Sequence, residues 1–470
     1  MLATLIISEI KRNLLSQRSV VGLIFVIVVY AGSGVIFTGK YLNEKAKDVK
    51  NAATLKDNLD EGAKSLDHLY DQWFSCTKYQ EISGYLASGN ENALPKALVV
   101  RASAPQGAAT FGGMIISPGS SNYMIERYAD YDLAFVIGVV LSFLAIVFSY
   151  DAVSRDREEG SLKLQLSNSL PRIQLLFGKF CAILILLGVI IAVGSVLNLI
   201  IFQILLGASI PAAYPFETLL SGVLAIVYLA VFIWLGLWCS VSVQKSSTAL
   251  AIALLAWTAL VILSPFIGGM LAQRFTRVAS REEANQVFQK SISAEPYPVE
   301  MGKLYNGKGD EEDWKVAAAF DERMNDRFEQ VVVHRFNELT GQAEQAQAIN
   351  FFSPYGAFRQ TMEQIAGTGL AYHRKFFLAA RRYRGDIAAF VQSQDRRDPE
   401  SRHHVVSDAR IRAMSQKPVD PEIVPRFEPP ARRVAVSDLL TTLPALGYLV
   451  LLNCVVSGLT FVRFARMDVR

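Results

Sequence analysis

The chain's 470 residues are 51% hydrophobic and only 19% charged, and its mean hydropathy is +0.26. Soluble chains of this size usually average below zero, so the composition points to a membrane protein. A net charge of +4 over this length excludes an argument for nucleic acid. The four cysteines, Cys76, Cys181, Cys239 and Cys454, form neither a disulfide framework nor a zinc spacing.

Residues 1–18 (MLATLIISEIKRNLLSQR) are too short to cross a bilayer. Leu2, Ile6, Ile10 and Leu14 recur every fourth residue, with Glu9, Lys11, Arg12 and Asn13 mostly opposite. That spacing predicts a helix lying in the membrane interface. Six apolar runs then follow, each near or above the 18 residues that mark a candidate span: 19–38, 133–150, 180–206, 217–241, 248–272 and 439–464. Their interiors offer no Asp, Glu or His suited to a proton relay. Residues 39–132 open with a charged segment of helical spacing, expected to rise as a helix from the first span. Gly, Pro and Ser make 103–122 an expected irregular stretch. The long insertion 273–438 is large enough for a core of its own and has helical segments near 281–292, 312–340 and 357–394. Its Pro-rich end, 417–430, returns the chain to the membrane. The expected fold class is therefore an all-α polytopic membrane protein with six transmembrane helices.

Basic residues cluster in alternate short segments: Lys11, Arg12 and Arg18; Arg155, Arg157, Lys163, Arg172 and Lys179; Lys245; and Arg463, Arg466 and Arg470. The positive-inside rule puts all of these, and both termini, in the cytoplasm. The insertions 39–132 and 273–438 then face outward, and 465–470 is a cytoplasmic tail.

Most patterns with a catalytic look have a plainer reading. Gly34 to Lys40 matches phosphate-loop spacing, but Tyr41 stands where the magnesium-binding hydroxyl belongs and no strand precedes it. His403 and His404 lie in a charged segment and read as solvated surface. The acidic run Asp310–Asp313 reads as a turn before a helix. No nucleophile motif occurs. The chain carries no metal site, no cofactor and no catalytic site of its own.

One stretch is different. Between the second and third runs the chain reads DAVSRDREEGSLKLQLSNSLPRIQLLFGK (151–179), with charges at Arg155, Asp156, Arg157, Glu158 and Glu159 ahead of a regular apolar pattern. Pro171 interrupts the pattern, so two short helices meeting at a turn are expected. The residues Asp156, Arg157, Glu158, Glu159, Gly160, Ser161 and Leu162, with Arg172, Gly178 and Lys179 after them, resemble the E-R-E-x-G-T-L…R…G-K segment of ABC-2 type transporter permeases. Asp156 stands for Glu, Ser161 for Thr, and Pro171 lies directly before Arg172. A second resemblance covers about 35 residues: Ser353-Pro354, Gly367-Thr368, His373 and Arg384 are similar to a permease subgroup with large extracytoplasmic insertions. That subgroup is related to permeases of gliding motility and of nitrous oxide reductase maturation.

The resemblance implies an ABCG-like exporter subunit of the bacterial inner membrane, with 1–18 as an elbow helix and 151–179 as the coupling segment. It implies two copies of a partner ATPase that bring ATP and Mg²⁺, and a second permease, the same chain or a related one. The substrate would cross by alternating access along the second and fifth spans. Glu158, Glu159 and Gly160 would form the core of the ATPase contact, with Arg155 beside them. A periplasmic partner for the insertions, a force-transmitting complex without transport, and a membrane scaffold or sensor are the other readings.

Overall fold

The computed structural model describes residues 2–78, 81–89, 97–103, 131–167, 171–207, 210–211, 213–280, 282–283, 286–287, 290, 295–406, 411–431 and 442–467. The expected irregular stretch 103–122 lies outside the described residues apart from Ser103, as does part of the helical segment near 281–292.

The chain starts with helix α1 (Leu2–Leu15), bends at Ser16 and continues as α2 (Gln17–Gly62). At 1.5 Å per residue the 46 residues of α2 reach about 69 Å, more than twice the hydrocarbon thickness. Its charged second half therefore stands clear of the bilayer, as the expected extension of the first span. The phosphate-loop look-alike Gly34–Lys40 is uninterrupted helix inside α2. Its N–H groups belong to the helix ladder, so none is left to cradle a phosphate.

The second span, α4, is assembled from Leu133–Phe135, a π-helical stretch Val136–Leu141 and Ser142–Ser149. Two short helices follow, α5 (Ser154–Glu158) and α6 (Ser161–Ser167). The remaining spans are α7 (Arg172–Leu206), α8 (Tyr214–Ser242), α9 and α14 (Leu443–Ala465). α9 comprises Ser246–Trp257, a second π-helical stretch Thr258–Leu263, and Ser264–Phe275. Among the described residues six helices are thus long and apolar enough to cross a membrane, and the expected all-α polytopic fold is what the chain adopts.

Packing and exposure agree with a bilayer as solvent. α4 and α8 are the most enclosed spans. Along α7, Ile185, Val189, Val193, Val196, Ile200 and Ile204 form an exposed apolar stripe at helical spacing, the face expected against lipid. Small residues let the inner helices approach closely. A Cβ at Gly236 of α8 would lie 1.9 Å from the Ser149 hydroxyl of α4, and one at Gly194 of α7 would lie 2.5 Å from the Tyr30 ring of α2.

Beyond the spans, the insertions fold together. The first supplies the top of α2, helix α3 (Leu66–Asp71) and an antiparallel pair, β1 (Phe74–Thr77) and β2 (Ala97–Val100), in which Phe74 faces Val100. The second supplies α10 (Met301–Tyr305), α11 (Glu311–Asn350), α12 (Pro354–Ile365) and α13 (Leu370–Asp395). The acidic run before α11 is a capping box: Asp310 Oδ1 accepts from Asp313 N at 2.8 Å, and Asp313 Oδ2 accepts from Asp310 N at 3.2 Å. Leu66, Leu69, Phe74, Val100, Phe328, Val332, Phe376, Tyr383 and Ile387 share one core, so the large insertion completes its core with the smaller one. Cys76 lies in that core, where burial pushes its thiol pKa up. α12 is the exception to this division, because Tyr355, Phe358, Met362 and Ile365 belong to the core of the spans.

Candidate functional site: the 155–179 segment and the ends of the spans

The sequence places charged residues 155–159 where α4 gives way to short helices, and the structure shows why they are needed. Every span whose end lies beside them presents N–H or C=O groups without intrahelical partners. Three side chains of the segment serve such ends. Glu158 Oε1 accepts from the backbone N of Ser246 and Oε2 from its hydroxyl, both at 2.9 Å, so the carboxylate sits at the N-terminus of α9. Arg157 donates to the carbonyls of Val241 and Val243 at 3.3 and 3.2 Å, at the C-terminus of α8. Arg172 donates to the carbonyls of Ala465 and Met467 at 3.0 and 3.1 Å, at the C-terminus of α14. Each charge has the sign that the helix dipole favours.

Asp156 and Lys179 form the buried centre. Lys179 Nζ lies 2.6 Å from Asp156 Oδ2 and 2.9 Å from Glu9 Oε1, with side-chain exposures of 1, 2 and 7% for Lys179, Asp156 and Glu9. Arg12 closes the ring, 2.8 Å from both Asp156 Oδ1 and Glu9 Oε2. Lys179, Asp156 and Glu9 are thus out of water, and the half-exposed Arg12 balances the second negative charge from the rim, as burial of charge requires. The network ties α1, α5 and α7 together. Ser240 adds a neutral tie, its hydroxyl accepting from the backbone N of Val153 and of Ser154 at 2.9 Å each.

The outer face of the segment is a separate set. Arg155 and Glu159 pair with each other at 2.8 Å across one turn, both about half exposed. Gly160 ends α5 with φ of +75°, a left-handed turn that glycine adopts without strain. Lys163 and Leu164 are exposed, and Leu162 points inward and is buried. Ser161 is half-buried, its hydroxyl 3.3 Å from the Asp156 carbonyl oxygen. The expected turn between two short helices is different in one respect. α6 is short, but Pro171 is the N-cap of α7, and Arg172, Gly178 and Lys179 belong to the third span helix itself. Proline fits there because the first helical turn has no carbonyl partner for its missing N–H.

Charge clustering was enough to single out Arg155–Glu159. It could not identify Glu9, Arg12, Ser240 and Ser246 as their partners. The available signal was a Glu9–Arg12 pair at i,i+3 on a helix otherwise rich in Leu and Ile. On α1, Glu9 is buried and Leu5, Ile6 and Ile10 are half-buried, while Ile7, Leu14 and Leu15 are exposed together with Lys11 and Arg12. A helix between protein and lipid can bury one paired charge in the protein, as Glu9 is here, while long Lys and Arg side chains reach the polar interface.

The second sequence signature lies far from this face. Ser353 is the N-cap of α12 and donates to the carbonyl of Leu260 at 2.6 Å, and Pro354 takes the first helical position. Gly367 turns the chain at φ of +65°, and the Thr368 hydroxyl donates to the Ala87 carbonyl at 2.7 Å. His373 Nδ1 meets Lys78 Nζ at 2.8 Å. Arg384 donates to Arg101 O, Glu329 Oε2 and Asn325 Oδ1 at 3.0, 3.1 and 3.0 Å. Burial lowers the Arg384 pKa from its ordinary value, against the neighbouring Glu329. These residues join the two insertions to each other and to the spans. His403 and His404 are drawn apart, one to Asp395 and the other to Glu311. No group of three metal-ligating side chains occurs among the described residues.

Six membrane-length helices among the described residues, with a charged segment bonded to four of them, define a helical multi-pass membrane protein. Residues 3–469 match the family model described as ABC-2 family transporter protein, and the chain belongs to that family. It is thus a permease-type subunit of an ABC transporter, the membrane part and not itself the catalyst, and its family implies association with an ABC ATPase. No curated protein matches the sequence.

Proposed function

We propose that the protein is the membrane subunit of an exporter in the bacterial inner membrane, with both termini and residues 151–179 in the cytoplasm. Two ATPase subunits, holding ATP and Mg²⁺, dock on that face, and a second permease, the same chain or a related one, completes the pathway. One observation carries the reading. The segment bonds inward to α1, α7, α8, α9 and α14 while it presents Arg155, Glu159, Gly160, Lys163 and Leu164 outward. A push on the outer set is delivered to all those helices at once, because buried charge networks and capped helix ends resist independent movement. A driven equilibrium requires a contact that differs between its two states, and on this reading the ATPase supplies it at the outer set.

On this reading Glu158 and Glu159, adjacent in the sequence, take separate roles, because Glu158 bonds Ser246 and Glu159 pairs with Arg155. Glu159 belongs to the docking surface, and Glu158 belongs to the transmission to α9. Co-purification with the cognate ATPase tests this division. Arg155→Glu with Leu164→Asp is expected to abolish co-purification without changing the melting temperature of the permease. Glu158→Ala is expected to keep the ATPase bound while transport per ATP falls about tenfold. Normal ATPase binding by the first variant would sink the proposal.

A force-transmitting reading has its own support. α11 spans 40 residues, about 60 Å, and lies against α9 at one end, with the Asn350 amide beside Gly268. Such a strut could deliver movement of the spans to a periplasmic protein without any substrate crossing.

A further inference from the structure

α4 and α9 each contain one π-helical stretch, and the two are built alike. Each is six residues long, Val136–Leu141 and Thr258–Leu263, and each is followed directly by a serine, Ser142 or Ser264. In each, the serine N–H bonds back five residues, to Ile137 in one and Ala259 in the other. The carbonyl of the third residue, Gly138 or Leu260, thereby loses its ordinary α-helical donor. In each case two hydroxyls replace it. The serine's own hydroxyl donates to that carbonyl at 2.6 Å in α4 and 2.8 Å in α9. A hydroxyl from another helix supplies the second bond: Tyr228 of α8 to Gly138 at 2.7 Å, and Ser353 at the start of α12 to Leu260 at 2.6 Å.

The two stretches are also connected. Trp257 Nε1, just before the α9 stretch, donates at 2.9 Å to the Ser142 hydroxyl that closes the α4 stretch. Phe143 meets the Trp257 ring edge-on at 5.4 Å. α12 bridges both. Its Ser353 holds Leu260, its Tyr355 ring fills the space where Gly138 has no side chain, and its Phe358 stacks at 4.3 Å on Tyr228. Arg359 of α12 reaches Asp132 Oδ2 at 3.2 Å, and Asp132 Oδ1 accepts from Phe135 N at the start of α4.

We propose that the two π-helical stretches form a single switch, with α12 as its clamp. In the clamped state the external hydroxyls hold both carbonyls and both helices are wound with the extra residue. When α12 withdraws, Ser353 leaves Leu260, and Tyr228, no longer held by the Phe358 stack, leaves Gly138; Ser142 N–H and Ser264 N–H then shift to the freed carbonyls, and both stretches return to α-helical winding. That change re-aims the part of each span beyond its π stretch. The switch lies at the far end of α4 from the 155–179 segment and midway along α9, where α12 reaches both, so it links span winding to the position of the insertion domain. It goes beyond the transport reading and holds equally for a transporter or a force-transmitting device.

Amide hydrogen exchange on the full-length protein in lipid nanodiscs tests it. Tyr228→Phe keeps the ring stacked on Phe358 and removes one hydrogen bond at Gly138. Ser353→Ala removes the bond at Leu260. Losing one such bond is expected to speed exchange locally about fivefold. The signature of a single switch is that Tyr228→Phe also speeds exchange at 258–264, and Ser353→Ala at 136–142, while α11 and α13 are unchanged. Exchange that rises only beside the substituted residue, or nowhere, overturns the proposal. If Ser353→Ala fails to fold, Tyr228→Phe alone decides by its effect at 258–264.

Discussion

Lys179 illustrates how a single side chain comes to hold several elements. Its ammonium is surrounded by two carboxylates and excluded from water, so deleting it leaves Asp156 and Glu9 with Arg12 as their one cationic neighbour. Removing one partner of a buried ion pair typically costs about 3–5 kcal/mol, because the remaining charge stays desolvated. Lys179→Met is therefore expected to lower the melting temperature sharply, followed by tryptophan fluorescence in detergent. Adding Asp156→Asn should recover part of the loss, since a neutral amide no longer needs the cation. Equal, additive losses in the two single variants would show that the pair does not interact. The sequence marked Asp156 and Lys179 as members of the coupling segment. It could not show their burial, because Arg12 and Asp156 are 144 positions apart and meet only when α1 folds against α7.

Among the elements, the six spans were legible because hydrocarbon permits little but long apolar helices. What escaped was winding and continuity. The π stretches have the same composition as the α-helix around them, and the slip is fixed by Tyr228 and Ser353 from other helices. Pro171 reads as a break, yet it starts α7, because proline suits a first turn as well as a loop. The tight crossing of α4 and α8 gives an element-scale prediction. At Gly236 an added methyl would meet the Ser149 hydroxyl at 1.9 Å and its Cβ at 2.9 Å. Gly236→Ala is expected to destabilise the protein by about 1–3 kcal/mol, the usual effect of overpacking. Ser149→Ala in the same chain should relieve part of this, because it removes the nearer atom. A melting temperature unchanged in Gly236→Ala would mean that the helices separate freely, against the close packing described.

At the scale of the whole molecule, everything proposed for the ATPase depends on which side of the membrane holds the 155–179 segment. The six spans put α1, α5, α6, the α8–α9 connection and the end of α14 on one face, and both insertions on the other. That sorting follows from connectivity alone and does not fix which face is cytoplasmic. The physical argument for orientation is charge: the short connections on the first face carry Arg155, Arg157, Lys163, Arg172 and Lys245, and basic residues in short segments are retained on the cytoplasmic side. Lys163 and Lys308 are both exposed, on opposite faces, and each can be replaced by cysteine after the four native cysteines are changed to serine or alanine. In intact cells with a permeable outer membrane, a thiol reagent that cannot cross the inner membrane is expected to label the cysteine at position 308. It should reach the one at 163 only after the inner membrane is opened. The reverse pattern would place the docking surface away from ATP, and no rearrangement of the segment's contacts could then restore a role in coupling.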